Sequence, residues 1–178
     1  WLDLIISMLN LLRLYYFWYT SIMKVRNLYD NSIIDVATDE LHFRVSVYGL
    51  LEENEQILVQ RSSKSKQFSL PGGKIEKGET IENSLVREFE EETGLQVQTV
   101  KLRYVKEDFV KFEDNESYHS ILIFYDVKRV GGQLRNVYDK EESIEIEFFP
   151  INKTLKQNLQ EIFRDIVWEI GSFFVKQT

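Results

Sequence analysis

The sequence has no cysteine, two prolines and two histidines, His42 and His119, in 178 residues. Without cysteine there is no disulfide framework, no thiolate nucleophile and no thiolate-ligated zinc. Two histidines are too few for a His-rich transition-metal site, so a metal centre here has to be built from oxygen donors. Basic residues are also in deficit: 22 Lys and Arg against 29 Asp and Glu give a formal charge of -7. That balance makes nucleic acid an unlikely partner, because it argues against a broad basic surface. An anionic small molecule is still accommodated, since metal ions and a few arginines can make one local field positive on an acidic protein. A secretory signal pattern is missing too. The apolar start lacks a basic lead and a small-residue cleavage site, and the expected compartment is the cytoplasm.

With 43% hydrophobic residues, the chain can build one substantial core, and a single domain is expected. Its bounds are read as 42–170, after an apolar helix and lead-in over 1–41 and before a tail at 171–178. Residues 1–23 are apolar and aromatic almost throughout, interrupted by Asp3, Asn10 and Arg13. A membrane span takes about 20 residues, but Arg13 near the middle is costly there, so membrane contact by this segment is disfavoured. The segment is expected as a helix packed on the domain or on a second subunit, which would suit a homodimer. Lys24 to Leu41 reads as a lead-in. Phe43 to Leu51 and Gln56 to Arg61 read as paired strands across a turn at Glu52 to Glu55. Leu95 to Glu107 and Ser120 to Val127 are further strands, and Asp108, Glu113, Asp114 and Glu116 between them read as a solvated hairpin connection. Ile144 to Ile151 is the last strand. Asn152 then caps an amphipathic helix carrying Leu155, Leu159, Ile162, Phe163, Ile166, Val167 and Ile170.

The chemistry concentrates between Gly72 and Leu95. Thr80 to Thr93 lacks internal Gly and Pro and spaces Ile81, Leu85 and Phe89 four apart, which predicts a helix with one buried stripe. Glu88, Glu91 and Glu92 then share a neighbouring face. Their spacing brings three carboxylates within reach of one point, where like charges repel unless a cation neutralises them. A hard divalent ion suits such an oxygen set. Upstream, Pro71 restricts the approach, and Gly72 and Gly73 permit tight backbone geometry and close ligand approach.

Read from Gly73, the pattern is Gly, five residues, Glu79, seven residues, Arg87-Glu88, an apolar Phe89, Glu90, Glu91-Glu92, Thr93, Gly94 and an apolar Leu95. This resembles the Nudix box at every fixed position. The resemblance implies an α/β fold, an α/β/α sandwich with a mixed β-sheet. It implies a MutT-like hydrolase that cleaves a nucleoside diphosphate linked to another moiety, or a nucleoside triphosphate. Mg²⁺ is the implied cofactor, with Mn²⁺ as a substitute. Gly73, through its carbonyl, and Glu88, Glu91 and Glu92 are the implied metal ligands, with Glu91 or Glu92 also able to take a proton from water. Arg87 is expected to orient box carboxylates or Glu79 through bidentate bonds. Glu142, in the acidic loop before Phe148-Phe149-Pro150, is the expected distal carboxylate, and whether it or a box residue is the base stays open. Arg61 and Lys74 are the expected phosphate contacts. The Pro that ADP-ribose-hydrolysing relatives often carry downstream of the box is absent, with Val110 in that region. The substrate reading is therefore the general MutT-like one. The alternative is a nucleotide- or RNA-sensing module that keeps the box for binding without turnover.

Overall fold

A computed structural model of the chain describes residues 1–2, 5–9, 21–28, 30–63, 67–112, 116–138 and 143–167. Contacts divide it into two compact units, Trp1–Phe43 with Phe109–His119 and Arg44–Asp108 with Ser120–Thr178.

The first unit holds a hairpin that the sequence did not announce. Strand β1 (Ile22–Asn27) pairs antiparallel with β2 (Ile33–Ala37), in register from Ile22 opposite Ala37 to Arg26 opposite Ile33. Asn31 takes a positive φ of 58° in the turn, and Asp30 Oδ1 accepts from Ser32 N at 2.8 Å. Asn and Asp favour such a turn because their side chains bond the nearby backbone. Val25, Leu28 and Val36 are buried. The apolar run was expected to stay helical through residue 23, yet the strand has begun at Ile22. Period-two burial around Val25 wins over the run's overall apolarity. Residues 5–9 are helical, and Ile5, Ile6, Met8 and Leu9 are about half exposed within the single chain. Residues 10–20 lie outside the described residues. Among the described residues no helix is long and apolar enough to cross a membrane.

Also in this unit, β1 runs parallel to the end of the long strand β6 (Leu95–Lys111), with Arg26 opposite Val110. The acidic connection is shorter than expected, because β6 extends to Lys111 and β7 (Ser117–Gly132) starts directly after Glu116. Glu116 is not merely solvated: its Oε2 lies 2.5 Å from His42 Nε2.

The second unit contains the curled, partly open sheet of an α/β/α sandwich, in the order β6, β7, β3 (His42–Glu53), β4 (Gln56–Ser62), β9 (Ser143–Pro150) and β8 (Val137–Tyr138). The short β5 (Gly72–Lys74) pairs antiparallel with β3. Between β3 and β4, Asn54 and Glu55 both have positive φ, 52° and 62°, and Glu53 faces Gln56. Two such residues match the right-handed twist of the flanking strands. Alternation along β3 then assigns its two faces. Val47 and Leu51 join Leu85 and Phe89 in the main core cluster, whereas Tyr48 stacks on Phe124 at 5.6 Å and meets Phe163 at 5.0 Å. Because successive side chains point to opposite faces, the two helical layers flank the strand on either side.

The box helix spans Ile81–Thr93, capped by Thr80 Oγ1, which accepts from Asn83 N at 3.2 Å. It ends at Gly94, whose φ of 73° is the left-handed conformation that glycine adopts at low cost. Leu85 and Phe89 are fully buried, each worth about 1.5–3 kcal/mol relative to exposure. The C-terminal helix differs from expectation. Asn152 caps it, accepting from Leu155 N at 3.0 Å, but the helix Lys153–Asn158 stops and helical geometry resumes only over 161–167. In the gap, Phe68 N donates to Asn158 O at 2.7 Å and Phe68 O accepts from Gln160 N at 2.8 Å. The loop backbone thus takes the hydrogen bonds that would have continued the helix. Leu155, Leu159, Ile162, Phe163, Ile166 and Val167 are all buried, while Ile170 lies outside the described residues.

Candidate active site

β5 brings the backbone of Gly72 and Gly73 against the later turns of the box helix, at Glu92 and Glu88. Gly73 pairs with Val47 of β3, and a Cβ built on it would lie 2.6 to 2.8 Å from the carboxylate atoms of Glu88. The close approach of backbone and carboxylate therefore requires glycine here. Beside it, Arg87 gathers the acidic groups. Its Nε donates to Glu79 Oε1 at 2.8 Å and its Nη2 to Glu79 Oε2 at 2.9 Å, a bidentate pair. Nη1 reaches Glu88 Oε1 at 3.0 Å and Glu91 Oε2 at 3.1 Å. These bonds hold the Glu79 carboxyl at about 2, well below its ordinary 4.5, and push Arg87 further above its usual range. Glu88 goes the other way. Burial raises its carboxyl, and this outweighs the lowering by the Arg87 hydrogen bond.

Glu92 is held by different donors. Its Oε2 accepts from Gly72 N at 2.7 Å and from Gln60 Nε2 at 2.9 Å. The expected convergence of the three box carboxylates is therefore not what the structure shows. Among the described residues no group of three or more acidic or histidine side chains forms a metal-holding cluster. Glu88 and Glu91 turn to Arg87 while Glu92 turns to Gly72 and Gln60, because like charges separate when N–H donors are at hand. The donor chemistry nonetheless fits Mg²⁺. It is all carboxylate and backbone oxygen, with the Gly73 backbone against the Glu88 carboxylate.

Other expected site residues fare unevenly. Arg61 faces Glu145 in the β4–β9 register, donates to Glu145 Oε2 at 2.8 Å and lies over the Phe68 ring at 5.1 Å. Lys74 has an exposed side chain. Its carbonyl accepts from Ser84 Oγ at 3.3 Å and Arg87 Nη2 at 3.4 Å. Glu142 lies outside the described residues. A cleft of about 480 Å³ opens along the box helix, lined by Asn83, Val86, Arg87, Glu90, Glu91 and Arg135.

Two residues escaped the sequence reading. Gln60 is a polar side chain buried directly after the apolar run Ile57 to Val59 in β4, and that break in apolarity was its only signal. Arg44 shares a face of β3 with Ser46 and Tyr48, donates from Nε to Ser46 Oγ at 3.0 Å, and its charge offsets part of the burial-driven rise of the Glu88 carboxyl. Neither belongs to the box.

Comparison with known proteins gives the family. The family model described as NUDIX domain matches residues 40–167, which is most of the chain, and the protein belongs to that family of hydrolases. An ADP-ribose pyrophosphatase of Methanocaldococcus jannaschii is 34% identical over 137 residues, covering 74% of this chain and 78% of that protein. An 8-oxo-dGTP diphosphatase of Escherichia coli is 34% identical over 94 residues, covering 51% of this chain and 69% of the relative. Among solved structures, a MutT protein from Methanosarcina mazei superposes with a TM-score of 0.61 at 27% identity, covering 75% of this chain and 96% of the other. Pyrophosphohydrolase activity on nucleotide-type substrates is the activity of this class.

Proposed function

We propose that the chain is a Mg²⁺-dependent hydrolase of a nucleoside diphosphate linked to another moiety, or of a nucleoside triphosphate, with Mn²⁺ as a working substitute. The supporting observation is the ordered arrangement around Gly72 and Gly73. Arg87 is bound by Glu79, Glu88 and Glu91, and Glu92 is fixed by two N–H donors. Gly73 O, Glu88, Glu91 and Glu92 would hold the metal. Bound there, it would neutralise phosphate oxygens and acidify a water molecule. In the reaction, the oxygen of water bonds to a phosphorus of the bridge as the bridging P–O bond breaks. The water's proton passes to Glu91 or Glu92, with Glu142 as the third candidate, and the leaving phosphate departs with the bridging oxygen. Arg87 touches no reacting atom in this account; it sets the rotamers of Glu88 and Glu91. Arg44 and Lys74 supply positive charge for the phosphates. Arg61, bound to Glu145, exchanges that partner for substrate if it contributes.

For the substrate class, the ADP-ribose pyrophosphatase match is longer than the 8-oxo-dGTP diphosphatase match, 137 residues against 94. ADP-ribose is accordingly the first substrate to test, although Val110 lies in the region where ADP-ribose-hydrolysing relatives often carry a Pro. A second reading, a nucleotide-sensing module without turnover, is favoured by one observation: the box carboxylates are not gathered into a metal-holding cluster among the described residues. Chromatography of products from ADP-ribose, NDP-sugars, dNTPs, NTPs, dinucleoside polyphosphates and capped RNA separates the two. Metal-dependent products that disappear in Glu91→Gln support the hydrolase. Nucleotide binding with no product across the panel supports the module.

A further inference from the structure

We propose that Gln60 is a positioning residue for Glu92, fixing the orientation in which that carboxylate meets cation and water. The proposal rests on the reading of Glu92 as a metal-side carboxylate.

Gln60 lies 32 positions from Glu92 in the chain, yet its Nε2 is 2.9 Å from Glu92 Oε2. The same oxygen takes the Gly72 N–H at 2.7 Å. A carboxylate only accepts, so the amide must present its NH₂ side to Glu92. Two donors from different strands on one oxygen restrict the carboxylate's terminal torsion far more than either would alone. The platform beneath the amide is also rigid. Gln60 N donates to Ser69 O at 3.0 Å, Ser69 N returns a bond to Gln60 O at 2.8 Å, and Gln60 sits opposite Ile146 of β9. A side chain anchored on a strand ladder holds a partner more tightly than one on a loop.

Packing alone does not account for a glutamine at this place. The residue is 7% exposed, and its Oε1 is buried with no hydrogen-bond partner among the described residues. An unsatisfied buried acceptor is destabilising, and a Met or Leu of similar volume would remove it while filling the same space. What Met or Leu cannot supply is the donor to Glu92. The function of the amide is therefore in its Nε2, and the orphaned Oε1 is the accompanying cost.

The test uses the full chain as wild type, Gln60→Met and Gln60→Glu. Mn²⁺ binding is followed by electron paramagnetic resonance, turnover on the substrate found in the panel, and melting temperature by calorimetry. Both variants are expected to weaken Mn²⁺ binding and lower kcat/KM by about 10–100-fold, the range for loss of an outer partner of a metal ligand. Gln60→Met should melt no lower than wild type, which a merely structural glutamine would not allow. Wild-type Mn²⁺ affinity in Gln60→Met overturns the proposal. If Gln60→Met does not fold, the isosteric Gln60→Glu decides, and wild-type Mn²⁺ affinity there overturns it equally. If the wild type binds Mn²⁺ and hydrolyses nothing, the hydrolase reading falls alone, and the variants' Mn²⁺ affinities still decide the role of Gln60.

Discussion

Arg87 shows how one side chain can organise several others. Its planar guanidinium gives a two-point contact to Glu79 and still reaches Glu88 and Glu91. The Glu79 carboxyl, held at about 2 by those bonds, has a signed consequence for pH. Its folded value lies below the ordinary 4.5, so its stabilising contribution is fully present above about 4.5 and is lost as pH falls toward about 2. Glu88 acts in the opposite sense, because burial raises its carboxyl and protonation in acid relieves that cost. Melting temperatures measured from pH 6 down to pH 2 (about four units, spanning the range in which carboxylates titrate) should fall less steeply in Glu79→Gln than in wild type. An identical acid limb in the two proteins would remove Glu79 from the account. At Gly73, a methyl group would meet the Glu88 carboxylate at 2.6 Å. Gly73→Ala is therefore predicted to displace Glu88 and lower kcat by roughly 100-fold or more, as misplacement near the chemistry does. Since Glu88 is the far end of a flexible side chain, the fold should survive, and circular dichroism checks this.

The box helix depends on its ends as well as on its buried stripe. Thr80 satisfies one of the free N–H groups of the first turn, and Thr80→Ala should cost about 1 kcal/mol in urea unfolding. A change below a few tenths of that would mean that water caps the helix equally well. This helix was legible in the sequence, because its stripe, cap and terminating glycine are all local. Its acidic face was legible as residues but not as geometry. Where Glu92 turns depends on Gly72 and Gln60, which only the β3–β5 and β4–β9 pairings bring into range. Gln60 and Arg44 were missed for the same reason. The β1–β2 hairpin was missed because a long apolar run hid its period of two. The break after Asn158 was missed because its cause, the backbone of Phe68, is remote in the chain.

At the scale of the whole molecule, a protein of net charge -7 has to receive a polyanion. The arginines near the carboxylates and a bound metal would reverse the local field. Described residues of the first nine carry exposed apolar groups, Trp1, Leu2, Ile5, Ile6, Met8 and Leu9. Removing residues 1–20, which spares β1, is predicted to change the association state seen by light scattering while leaving turnover intact. An unchanged association state would end the idea of a dimer built on this segment. The central claim is that water, assisted by the box carboxylates, attacks phosphorus within a phosphoanhydride. Its most direct test is hydrolysis of ADP-ribose, or of the best substrate in the panel, in ¹⁸O-water with Mg²⁺, with the products weighed by mass spectrometry. The account predicts a single ¹⁸O in one phosphate product, and its loss together with turnover in Glu91→Gln. Products without the label, or labelled products formed equally well by Glu91→Gln, would contradict it.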